Sequence, residues 1–161
     1  MTTVNASPAL TRLGPLLLGM LAALALMPPQ ARAQTAPQPK LQTIAITAGM
    51  HVIQAELAIS SQEQATGMMF RRAMPGNEGM LFVNDEAGMR CFWMKNTLVP
   101  ITIAFIDDDG SIVNLADMQP QSEQSHCSAK PVRYALEMHQ GWFAKRGLKA
   151  GFRLRGRPFK G

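Results

Sequence analysis

Several things are missing from this sequence, and each absence closes off a possibility. No twin-arginine pair precedes the apolar N-terminal run and no cysteine follows it, which sets aside a Tat signal and a lipoprotein anchor. No apolar stretch is long enough to stay in a bilayer. Leu13 to Met27 is interrupted by Gly14, Pro15 and Gly19, and falls short of the roughly 20 residues a spanning helix needs. The three histidines, His51, His126 and His139, do not repeat at a metal-ligand spacing. No basic face is interleaved with aromatics, so nucleic acid is not an expected partner. No segment repeats.

What is present at the N-terminus reads as an export signal. Arg12 and the amino terminus form a thin positive region, the apolar run follows, and Pro28 and Pro29 break it. Ala31-Arg32-Ala33 then offers an A-x-A cleavage site before Gln34. Residues 1–33 are expected to be removed, placing the mature chain in the bacterial periplasm or outside the cell without a transmembrane segment. Residues 34–161 suffice for one domain with its own core.

Charge is unevenly spread over that mature chain. All 11 acidic residues lie between Glu56 and Glu137, whereas seven basic residues from Lys145 to Lys160 crowd the C-terminal end. Such a tail is able to contact anionic surfaces, although a solvated terminus is the plainer reading.

The periodicity of the mature chain is mostly two. After a polar, proline-bearing linker at 34–40, LQTIAIT and HVIQAELAI flank Gly49 as a hairpin over 41–59. Shorter strand-like runs follow at 80–83, 89–95, 101–107, 111–117 and 133–138, with Asp107-Asp108-Asp109-Gly110 as the clearest turn. Ser60 and Glu63 form a capping box that opens a short amphipathic helix over 61–72. GWFAKRG at 141–147 suggests a second, with Gly147 just past its end. The expected fold is mainly β: a sandwich or irregular barrel of about seven or eight strands with two short helices. The single domain covers 41–157, and 158–161 form a basic end.

The candidate sites are few. Cys91 and Cys127, in an oxidising compartment, are expected to form a disulfide, the alternative being a reactive thiol at Cys127. Nine methionines after the signal and three histidines raise a copper site, but Met68, Met80, Met94 and Met138 lie in apolar runs where gap-filling is expected. The DDDG turn fails as a calcium loop, because Phe105 and Ala116 would fall at ligand positions. Glu78, Asp117 and Glu137 with Arg71, Arg72 and Arg133 could form a polar cluster. Acid–base hydrolysis is the sharper reading of that cluster, and structural salt bridges the favoured one.

GMMFRRAMPGNEGMLF, CFWMKNTLVPITIAFIDDDGSIV and YALEMHQGWFAKRG together resemble a bacterial and archaeal family known as the domain of unknown function 192. The likeness runs from about Ile53 to Phe152. The resemblance implies a β-rich, sandwich-like fold with short helices, frequent export, and no established enzymatic activity. The matched positions are Gly67, Met69, Arg71, Glu78, Gly79, Met80, Phe82, Trp93, Met94, Lys95, Asn96, Thr97 and Pro100. One departure stands out: where many relatives carry an acid in a P-L-D-I segment, this chain has Thr102.

The expected function is a non-enzymatic envelope module that binds a small molecule, a glycan or a protein near the FWMKNT turn. The candidate contacts are Trp93, Lys95 and Asn96, with Arg71 and Glu78 from the polar group. No catalytic residue, metal ligand or cofactor is assigned. The competing readings are a carboxylate-dependent hydrolase of envelope material, a structural or assembly protein, and a copper-handling protein. In CFWMKNT itself, alternation sets Phe92 and Met94 toward the core, leaving Trp93 and Lys95 side by side on the other face.

Overall fold

The computed structural model describes residues 2–3 and 35–160, so the expected signal run and its cleavage site lie outside the described residues. Among the described residues eight strands form: β1 (Thr43–Ala48), β2 (His51–Ala58), β3 (Glu78–Gly88), β4 (Cys91–Phe92), β5 (Ile101–Ile106), β6 (Ile112–Met118), β7 (His126–Cys127) and β8 (Val132–His139). Six of them make one mixed sheet in the order β1-β2-β3-β8-β5-β6, and β4 pairs with β7 as a separate ribbon. Only β2 and β3 run parallel within the sheet. The remaining pairs are antiparallel.

The fold is therefore mainly β, with little helix. The sheet does not close into a barrel, and the layers packed against it are irregular chain and the small ribbon rather than a second large sheet. Interior strand β5, ITIAFI, is buried at every position. A strand covered on both faces reads as a continuous apolar run rather than an alternating one.

Helix α1 spans only Ser61–Thr66. Its capping box forms as expected: the Glu63 amide donates to Ser60 Oγ at 3.3 Å, and the Ser60 amide donates to the Glu63 carboxylate at 2.8 Å. The helix stops well short of Arg72 because Gly67 takes a positive φ of 49°. A Cβ there would lie 3.2 Å from the Phe82 ring, so the chain turns over that ring only with glycine. The second expected helix is a single 3-10 turn, Ala144–Arg146, closed by left-handed Gly147. The expected strand at 89–95 shrinks to Cys91–Phe92, because Thr97 N donates to the Met94 carbonyl and turns the chain.

The two faces of the sheet carry separate cores. On one, Ile53, Leu81, Ala104, Ile106, Tyr134 and Leu136 pack with Trp142, Phe143, Leu148 and Leu154. The C-terminal chain straps this face: Leu154 N donates to the Gly110 carbonyl at 2.9 Å and Arg155 N to the Thr47 carbonyl at 2.9 Å. Gly110, at φ 87°, has the Leu154 carbonyl where a Cβ would sit, so this turn demands glycine twice over. The other face is covered by α1, the loop after it and the β4–β7 ribbon, and is rich in methionine: Met68, Met74, Met80, Met94 and Met118 join Phe82 and Phe105.

The acidic turn and the basic tail meet. Lys130 pairs with Asp107 at 2.5 Å, Lys160 reaches Asp108 at 3.7 Å, and Arg153 pairs with Asp109. The hydrogen bond from Lys130 holds the Asp107 carboxyl below its ordinary range. Phe159 also packs edge-on against Tyr134, with centroids 5.3 Å apart, so the C-terminal end is anchored as well as charged.

A candidate binding cleft over the second face

The methionine-rich face is not fully covered. Between α1 and the ribbon lies a cleft of about 360 Å³, within the range of small-molecule sites. One wall is the stretch from Gln64 to Met69, and the other runs from Met89 to Trp93. Phe82, Thr97 and Glu137 lie between them.

Local bonds hold both walls in place. The Gln64 side-chain amide donates to the carbonyls of Ile59 at 3.2 Å and Val83 at 2.7 Å, tying α1 to the strands at either side. On the other wall Cys91 and Cys127 face each other across the ribbon and are joined by a disulfide, with Cα atoms 4.0 Å apart. No free cysteine remains. Met94 N donates to the Ser122 carbonyl at 2.8 Å. Phe92 packs edge-on against Phe82 with centroids 4.8 Å apart, linking the ribbon to the sheet.

Glu137 lies on central strand β8, flanked in register by Met80 on β3 and Ile103 on β5. It is only 4% exposed. Among the described residues no hydrogen-bond donor or cation contacts its carboxyl. Burial alone acts on it, and pushes its pKa up to about 8. At neutral pH it is a protonated acid able to donate a hydrogen bond, and a cation brought beside it would favour the charged form.

Glu56 shows the opposite arrangement. Burial would raise its carboxyl, but hydrogen bonds from Arg71 and the Leu41 amide, with the charges of Arg71 and Lys40, outweigh that and hold it below its ordinary range. Arg71 grips it with two nitrogens, at 2.5 and 2.8 Å, and Leu41 N donates at 2.7 Å. Lys40 pairs with Glu78 at 3.1 Å beside them. This is a closed ionic clamp joining residues 40–41, β2 and the loop after α1.

The five residues expected to contact a ligand therefore divide. Trp93, 48% exposed, stands in the cleft wall. Lys95 lies over its indole, 5.3 Å from the ring centre, and pairs outward with Glu123 at 3.3 Å. Asn96 braces the wall opposite: its side-chain amide lies 3.7 Å from the Met69 sulfur and its carbonyl accepts from Phe70 N at 2.9 Å. Arg71 and Glu78 belong to the clamp. Phe92 and Met94 pack into the second core, Met94 fully.

The polar cluster of Glu78, Asp117 and Glu137 with Arg71, Arg72 and Arg133 does not assemble. Arg133 turns to Asp108, at 3.9 Å, and to the Asn84 carbonyl. Asp117 sits on β6 and accepts from its register partner Thr102 at 2.5 Å. Thr102 in turn accepts from the Gly141 amide at 3.0 Å. The acid missing at position 102 thus has a counterpart on the adjacent strand, where the pair secures the turn before Trp142. Nor does Glu137 form the salt bridge that was the favoured reading of that cluster. Its sequence signal is an acid inside an apolar run, YALEM, which alternation places beside Ala135 on the methionine-rich face. Among the described residues no group of three or more His, Cys, Asp and Glu could hold a metal.

A mixed β-sheet domain with one strapped face and one clefted face is the class this chain defines. The family model described as DUF192, uncharacterized ACR, matches residues 43–156, and the chain belongs to that family. Two solved structures are similar. One, from Sinorhizobium meliloti 1021 and described as a candidate transcription regulator, is 32% identical with a TM-score of 0.70, covering 74% of this chain and 97% of its own. The other, a protein of unknown function from Novosphingobium aromaticivorans DSM 12444, is 36% identical with a TM-score of 0.69, covering 77% and 94%. No curated protein matches.

Proposed function

We propose that this protein is an exported, non-enzymatic binding domain of the cell envelope, and that its ligand is a small organic molecule held in the cleft between α1 and the β4–β7 ribbon. One observation carries the reading. Glu137 is buried at this cleft on the central strand with no partner for its carboxyl. A carboxyl this deeply set is costly to ionise unless a charged group joins it, and the cleft is where such a group can reach it. The hydrolase alternative loses its basis, because the carboxylates it needs stand apart, Thr102 and Asp117 in one pair and Glu78 in another. The regulator description belongs to one structural neighbour; in this chain two residues of the basic tail, Arg153 and Lys160, pair with the acidic turn.

A thermal-shift screen of envelope sugars, peptides and small amines tests the site. A ligand bound only by the folded state raises the melting temperature by mass action. Ala65→Trp, at an exposed helical position in the cleft wall, should block the hits while leaving the fold intact. Hits that survive this plug would place the binding elsewhere. Export is checked separately, by the mass of the chain recovered from the periplasm: it should begin at Gln34.

A further inference from the structure

We propose that the cleft takes an organic ammonium group, with Glu137 as its counter-ion, on a ligand that also carries an oxygen acceptor for Arg90. This assignment rests on the cleft reading above and narrows it to a chemical class.

Two polar groups in the lining lack partners, and they want opposite things. The Glu137 carboxyl can be satisfied as an anion by a donor that brings positive charge, and among the described residues no lysine, arginine or histidine supplies one. The Nε of Arg90 is buried without an acceptor, while Nη2 of the same guanidinium donates to the Glu86 carbonyl at 2.7 Å. Arg90 is the other ionisable residue of the lining; its Nε is closed off from solvent, so a ligand oxygen reaches the guanidinium when the side chain leaves the Glu86 carbonyl. The surfaces between suit a cation with a small apolar body. Met68, Phe82 and Phe92 supply thioether and ring surfaces, which attract a desolvated ammonium better than a neutral or anionic group. An anion can accept from Glu137 only while the acid keeps its proton, and cannot serve it as a counter-ion. A buried ion pair is favourable only when the remaining polar groups are also satisfied, and a ligand with both an ammonium and an acceptor oxygen meets that condition. A peptide N-terminus and an amino sugar share this chemistry.

The test uses two matched pairs of probes on the full chain: leucinamide against N-acetylleucinamide, and glucosamine against N-acetylglucosamine. Each pair differs in whether the nitrogen carries charge. Amide shifts of Phe82, Cys91 and Glu137 are followed by NMR, on the natural protein and on Glu137→Gln. One or both free amines should bind, with the acetylated partner and the variant each weaker by about ten- to a hundredfold, as loss of a charge-assisted hydrogen bond implies. Whichever amine binds tighter identifies the source, peptide or sugar. If the acetylated probes move the same amides as strongly, or Glu137→Gln keeps its affinity for the amines, the ammonium assignment is overturned while the cleft reading stands. If all four leave these amides unmoved, and the thermal-shift panel is silent too, both readings fall.

Discussion

On one face of the sheet the C-terminal strap lays Trp142, Phe143, Leu148 and Leu154 over Ile106 and Leu136, and the clefts beside it, of about 450 and 300 Å³, carry acids that already have partners, Asp109 with Arg153 and Asp117 with Thr102. On the other face, the same strands meet methionines, a six-residue helix and a two-stranded ribbon held by a disulfide. The strapped face is rigid aromatic and aliphatic packing, sealed at both edges by backbone hydrogen bonds. The clefted face is assembled from short elements that are individually too small to be stable, fastened by caps, a clamp and a cross-link. From this difference in assembly, stability is expected to concentrate on the first face and adaptability on the second, as binding sites are drawn from the less stable parts of a fold.

That contrast can be tested by matched substitutions. The largest effect should come from Leu136→Ala under the strap. A closed core cannot refill the void, so a loss of about 4 kcal/mol is expected, against about 2 kcal/mol for Met68→Ala, whose void opens to the cleft. Urea denaturation measures both, and equal losses would mean the two faces are packed alike.

Arg71→Ala comes next. It strands the buried Glu56 carboxylate and should cost about 3 kcal/mol at pH 7. The folded-state pKa of Glu56 lies below its ordinary value of 4.5. The clamp's contribution is therefore present above pH 4.5 and lost as the pH falls through the lower, folded-state value. Stability curves of the natural protein and the variant should converge in acid.

Glu137→Gln should act with the opposite sign. Because burial raises this acid from 4.5 to about 8, the folded state holds a proton that the unfolded chain releases. Its contribution is complete below pH 4.5 and declines as the pH rises toward 8. The variant should gain on the natural protein across that window, by about 4 kcal/mol at pH 8 and by little at pH 4. A pH-independent difference would mean that Glu137 has a partner in solution.

The smallest effect belongs to the cleft rim. Trp93→Ala removes a half-exposed ring and its contact with Lys95, and should change stability by less than about 1 kcal/mol. A larger loss would make Trp93 part of the core rather than of the rim.

Much of this architecture was legible beforehand. The hairpin around Gly49, the capping box at Ser60, the DDDG turn and the strands expected at 101–107 and 133–138 follow from local chemistry: glycine at positive φ, reciprocal capping, and runs that bury one or both faces. The extents of shorter elements were less legible. Helix α1 ends at Thr66 because Phe82, distant in sequence, occupies the space beside Gly67. The strand at Cys91 ends after two residues because Ser122 and Thr97 capture the chain at Met94. The candidate site was half legible: Trp93 was in view from its motif, whereas Glu137 first looked like one member of a salt-bridge cluster.

By itself, then, the sequence determined the β-rich class, most strand positions, the two cysteines available for pairing and the uneven charge. These depend on neighbours a few residues apart, or on composition. Only the tertiary structure decided which charges meet. It joined Arg71 to Glu56 and the acidic turn to the basic tail, and it left Glu137 on the central strand without a charged partner among the described residues. Whether an ionisable group is paired depends on what long-range contacts bring within a few ångströms, because Coulomb energy and desolvation act over distances in space and not along the chain.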